Sequence, residues 1–120
     1  MSTEAQEQEK LVSYIRTTYP NALMTTTGAG MVNSARVASQ MNRRGYTKGM
    51  PDLLIFEPRA SFYGLVIEMK TARGSVRPDQ RHILAEFAKR GWKAVVCRSA
   101  DQGKEAMDDF MKLEAQETKN

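Results

Sequence analysis

Four polar residues in this 120-residue chain stand where core packing alone would not ask for them. Asp52 follows Pro51 at the mouth of the apolar run Leu-Leu-Ile-Phe, 53–56. Glu68 and Lys70 lie two apart in "GLVIEMK", so on a strand both point to one face. Gln80 falls in the first turn of a helix that Pro78 opens. Two carboxylates suit Mg²⁺, with Mn²⁺ as a substitute, and the Met69 backbone carbonyl offers a further oxygen. A metal held there lowers the pKa of a bound water and polarises a phosphoryl oxygen. Lys70 can orient or deprotonate that water, or stabilise developing charge.

Each piece alone has a bland reading. Glu-x-Lys on a strand is more often an exposed ion pair. Pro-Asp at a strand start is common turn chemistry. Other catalytic chemistries find little material. The single histidine, His82, sits in an amphipathic helical pattern, so zinc sites of paired His and Cys are out of reach. Cys97 is the one cysteine; it allows no intramolecular disulfide and reads as a small buried hydrophobe in "AVVC".

These residues need elements to hold them. Gln8, Leu11, Val12, Ile15 and Tyr19 recur at helical spacing, predicting a helix from Glu4 to about Tyr19 that Pro20 ends. Residues 22–27 read as a strand and "GAG" as a turn. Residues 33–45 read as a helix capped by Asn33 or Ser34 and stopped by Gly45. Strands are predicted over 51–58 and 61–70, joined by a short link and antiparallel. Leu65, Ile67 and Met69 would share one face, with Val66, Glu68 and Lys70 on the other. A helix from Pro78 to about Arg90, a strand over 92–99 and a C-terminal helix burying Ala106, Phe110 and Leu113 complete the order. That order predicts an α/β chain of three layers, a mixed sheet flanked by helices. One domain over 1–120 is expected, with 1–3 and 115–120 frayed.

Charge points to a partner. Residues 1–10 and 105–120 are acidic, whereas 11–104 hold 15 basic and six acidic residues. A basic body between acidic ends suits a polyanion, most simply nucleic acid. No apolar run nears the ~18 residues of a membrane helix. The first ten residues lack a signal-peptide core, so a cytoplasmic location is expected.

The combination of pieces is more specific than any one. "KGMPDLLIF", "GLVIEMKTARGSVRPDQRHIL" and "GWKAVVCRS" together carry the PD-(D/E)XK nuclease pattern and resemble the VRR-NUC family. "YIRTTYPNAL" and "NSARVASQMNRRGYTKG" resemble its small stand-alone phage members, so the likeness runs over about residues 4 to 112. The resemblance implies a restriction-endonuclease-like fold and Mg²⁺-dependent cleavage of DNA. By it, Asp52 and Glu68 match the metal-binding acids, Lys70 the catalytic lysine and Gln80 a glutamine that positions the water or the lysine. An acid of the first helix, matched by Glu4 with Gln8 four residues on, joins the catalytic and metal-binding set; Glu7 and Glu9 lie nearby. Arg77 stands where a Ser or Thr cap is usual.

Arg36, Arg43, Arg44, Lys48, Arg73, Arg77 and Arg81 are the candidate DNA contacts, with solubility as their alternative role. Nothing resembles a base-reading helix, so selectivity for DNA shape is expected. The resemblance further implies a homodimer cutting branched DNA such as Holliday junctions, in the host cytoplasm if the gene is of phage origin. Met24, Met31, Met41, Met107 and Met111 could line a dimer interface or fill the core. Two other readings stay open: a restriction-like nuclease that reads a sequence, and a non-catalytic DNA-binding module on the same fold.

Overall fold

A computed structural model describes residues 2–116. Helix α1 (Glu4–Thr18) starts at Thr3, whose Oγ1 accepts the Gln6 N–H while the Gln6 side chain takes the Thr3 N–H. That reciprocal cap closes the start of the helix at position 3. The expected fraying at residue 1 and over 117–120 lies outside the described residues. Residues 115 and 116 are tied down, because Ala115 bridges Arg59 and the Gln116 amide donates to the carbonyls of Ala60 and Phe62.

Four short strands follow: β1 (Met24–Thr26), β2 (Leu53–Ile55), β3 (Leu65–Met69) and β4 (Lys93–Cys97). They lie in sequence order, with β1–β2 and β2–β3 antiparallel and β3–β4 parallel. The parallel step is made by the crossover helix α3 (Pro78–Lys89). Helix α2 (Ala35–Arg43) lies in the long β1–β2 connection, capped by Ser34. Helix α4 (Ala100–Met111) closes the fold, capped by Ser99. The mixed sheet with flanking helices is the α/β arrangement that the element order predicts.

Strand alternation separates the two faces. Leu53, Ile55, Leu65, Ile67 and Met69 join Leu11 and Ile15 of α1 and Met107 and Phe110 of α4 in one core. The hydroxyls of Tyr14 and Tyr19 donate to the Asp108 carboxylate at 2.8 and 2.6 Å, clamping α1 to α4. On the opposite face Phe56 meets Trp92 edge to face, and Trp92 meets Phe87 of α3. Met107 is fully buried and Met24 and Met111 pack against the core, so these three methionines serve packing. Leu113 is exposed: α4 ends at Met111, so the spacing that would have turned residue 113 inward stops short.

Strand β2 is reached through Gly49, whose φ is +95°. A Cβ there would stand 2.7 Å from the Asp79 carbonyl oxygen and 2.8 Å from its carbon. Bare backbone thus packs on the first turn of α3, setting Asp52 and Gln80 near each other. Gly49→Ala meets a left-handed conformation that costs about 1–3 kcal/mol and a rigid main-chain clash. We expect urea denaturation to show a loss of at least about 2 kcal/mol. A loss within a few tenths would mean that the approach to β2 gives way freely.

Candidate active site

The pairing of Leu53 with Ile67, extended one residue, sets Asp52 opposite Glu68. There the ladder changes character. The Lys70 N–H donates to the Cys97 carbonyl at 2.9 Å, so residue 70 turns its main chain towards β4. Met69, one residue earlier, turns its N–H and C=O towards β2. β2 offers no main-chain acceptor for that N–H; the Asp52 side chain does, with Oδ2 accepting it at 2.8 Å. The Met69 carbonyl lies on the same edge as this carboxylate. Main-chain bonds fix Asp52 from behind, since its carbonyl accepts from the Thr27 N–H at 3.1 Å and the Thr26 hydroxyl at 2.9 Å.

Glu68 is 2 % exposed, and its Oε2 has no hydrogen-bond partner among the described residues. Burial raises its carboxyl far above the usual range, and the neighbouring Asp52 carboxylate adds to the rise. Lys70 opposes it, yet no ion pair within 4 Å joins Lys70 to either acid among the described residues. Lys70 is itself buried, at 7 % exposed. The exposed Glu-x-Lys pair of the bland reading is therefore not what the fold makes.

Gln80 is buried, and its Oε1 accepts the Arg77 N–H at 3.0 Å. The glutamine thereby supplies the reciprocal half of a helix cap that Arg77, with no accepting side chain, cannot begin. Its amide nitrogen is left as the donor end. Asp52, Glu68, Lys70, Gln80 and Glu4 all line one cavity of about 640 Å³. Glu4 faces it alone of the three early acids. Glu7 accepts the Ala100 N–H at 3.0 Å and caps α4, which, with Lys10 beside it, pulls its carboxyl down to about 2. Glu9 and Gln8 face a separate groove between α1 and the β1 edge. Glu4 adds to the rise of the Glu68 carboxyl, though no cluster of three or more acidic, Cys or His side chains fit for a metal occurs among the described residues.

A family model, the VRR-NUC domain, matches residues 3–101. The chain belongs to the VRR-NUC domain family. That makes it a nuclease domain of the PD-(D/E)XK type, with DNA as the substrate a nuclease implies. One solved structure, described as a VRR_NUC domain protein, shares the fold with a TM-score of 0.79 and 24 % identity, over 96 % of this chain and 93 % of that one. No curated protein matches the sequence.

Among the basic candidates of this VRR-NUC chain, Lys48 and Arg77 line the cavity. Arg77 also bonds Asp79, at 3.2 Å from Nε. Arg36, Ser39 and Arg43 share a stripe of α2, with Arg43 donating to the Ser39 hydroxyl at 2.8 Å. Ser39 reaches the cavity and both arginines are exposed. Arg44 and Arg73 are exposed, and Arg81 spends one N–H on the Val76 carbonyl at 3.3 Å. Sequence reasoning missed two contributors. Arg98 donates to the Thr71 and Gly74 carbonyls at 3.0 and 2.5 Å, pinning the loop between Lys70 and Gln80. Tyr46 lines the cavity beside the acids; burial and then Asp52 and Glu68 raise its hydroxyl above the ordinary phenol value.

The donor set fits a hard divalent cation. It has two neighbouring buried carboxylates, one with an unsatisfied oxygen, and a main-chain carbonyl on the same edge. Without a cation the pair is a liability. Glu68 moves from its ordinary 4.5 up to about 9, so the folded chain holds a proton that the unfolded chain has released between these values. Metal-free stability should therefore fall as pH rises through that window. Thermal melts in chelator should show the decline, and Glu68→Gln should flatten it. An unchanged slope in the variant would assign the decline to another group.

Proposed function

We propose that the chain is a Mg²⁺-dependent, structure-selective DNA endonuclease that hydrolyses phosphodiesters in branched DNA such as Holliday junctions, as a homodimer. The observation that carries the reading is the buried Glu68 oxygen without a partner among the described residues, beside Asp52 and within one cavity with Lys70 and Gln80. Asp52, Glu68 and the Met69 carbonyl would hold the metal, with Glu4 as a more distant acid. When bound, Mg²⁺, or Mn²⁺ in its place, supplies an activated water and neutralises phosphate charge. Buried Lys70 lines the same cavity, and its ammonium is suited to orienting a nucleophile or stabilising developing negative charge. Gln80, its oxygen held by Arg77, offers a fixed amide donor.

Selectivity for branches is supported by what the basic residues can contact. Arg36, Arg43, Arg44, Lys48, Arg73, Arg77 and Arg81 suit phosphates, which position DNA without reporting its sequence. A two-fold dimer would present two such cavities to the symmetric strands of a junction. Exposed Leu23 and Met31, at 67 % and 74 %, supply apolar surface for that contact. Such an enzyme would act in the cytoplasm, the host's if phage-encoded.

Synthetic four-way junctions and linear duplexes of the same sequence test the reading. With Mg²⁺, wild type should cut junctions faster, and chelator should abolish cutting. Lys70→Ala and Asp52→Asn should each lower the rate by about 100-fold or more while still binding junction. Native mass measurement should give twice the chain mass. Discrete cut sites in random duplex would favour a restriction-like enzyme, and metal-independent binding without turnover a binding module.

A further inference from the structure

The connection between β1 and β2 ends in a backbone device that aims one side chain at the cavity. The Tyr46 N–H donates to the Met41 carbonyl at 2.9 Å and the Gly45 N–H to the Asn42 carbonyl at 3.0 Å, with Gly45 at φ +105°. That pair of bonds is a complete Schellman stop of α2. It fixes Tyr46 relative to the helix without using its ring. The ring, half-buried, lines the same cavity as Asp52, Glu68 and Lys70. Among the described hydrogen bonds the hydroxyls of Tyr14 and Tyr19 are spent on Asp108, whereas the Tyr46 hydroxyl has no partner.

We infer that Tyr46 is a further catalytic residue, whose hydroxyl donates a hydrogen bond to a non-bridging oxygen of the phosphate being cut. The inference rests on the nuclease reading above. A phenol stays protonated through the neutral range and is a neutral donor. Neighbouring carboxylates repel the phosphate, so a donor beside them is useful where a second lysine would instead pair with the acids. Lys48 and Arg77, which line the same cavity, supply charge, and Tyr46 supplies direction. The ring also bounds the cavity on the side of α2, a wall that Ser39 and Asn42 continue.

The test uses the full chain and the junction that wild type cuts. Tyr46→Phe removes one oxygen and leaves both main-chain bonds of the helix stop, so its melting temperature should match wild type within a few degrees. A hydrogen bond to a charged oxygen corresponds to about 10- to 100-fold in rate. Single-turnover cleavage by Tyr46→Phe at saturating enzyme should be slower by that factor, with junction affinity within about twofold of wild type. A single phosphorothioate of defined stereochemistry at the cut position adds a readout that a wall residue would not move. At one of the two oxygens, sulfur should slow wild type more than it slows Tyr46→Phe. Equal rates for wild type and Tyr46→Phe overturn the inference, as does a slower variant whose two sulfur effects match those of wild type. If wild type cuts no DNA, the nuclease reading itself fails; if it cuts and the variant keeps pace, only the role of Tyr46 does.

Discussion

The 2.8 Å bond from the Met69 N–H to Asp52 Oδ2 is the constraint on which the site depends. It replaces a main-chain rung at the point where β2 and β3 stop pairing. A carboxylate thus closes the ladder, and the two strands separate around it. The polar residues of the candidate site are arranged about this opening. Glu68 lies opposite Asp52, Lys70 one residue past the ladder's end, and Gln80 on the crossover helix that returns across the same face. Pro51 suits its place, since a residue entering such a gap has no N–H to satisfy there.

Burial of Glu68 and Lys70 has to be held against their wish for water, and the surrounding contacts do the holding. The Arg98 clamp on Thr71 and Gly74 keeps the chain after Lys70 from lifting off β4. Gly49 lets the β2 approach lie against the first turn of α3. The Tyr14–Asp108–Tyr19 clamp seats α1, and with it Glu4, on α4. These contacts spend rigidity on keeping unfavourable charges together, a common tension between stability and activity.

Much of this was legible because it is local. The Pro51-Asp52 start, the two-residue spacing of Glu68 and Lys70 and the Pro78 helix start are short-range patterns with fixed geometric meanings. The faces of β3 followed from alternation alone. What escaped is long-range. Glu7 caps a helix 93 residues away, a pairing no periodicity announces. Arg98 reads as the end of a strand until the loop it holds is seen. Arg77 looked like a lost cap, because the compensating acceptor belongs to Gln80, already assigned another task. Leu113 looked buried because its spacing continues past the point where the helix ends. Tyr46 sits in a connection whose path is set by tertiary contacts, and only its preceding Gly45 hinted at a turn.

Helix α2 contributes no fully buried residue, yet it walls the cavity. The chemistry and its boundary therefore rest on different parts of the fold. Replacing residues of the sheet edge disturbs the core; replacing exposed side chains of α2 disturbs little but the rim. A lineage built on this chain could change which DNA fits while leaving the reaction untouched. Helix α2 is in that sense the adaptable part of the site, and the strand ends its fixed part.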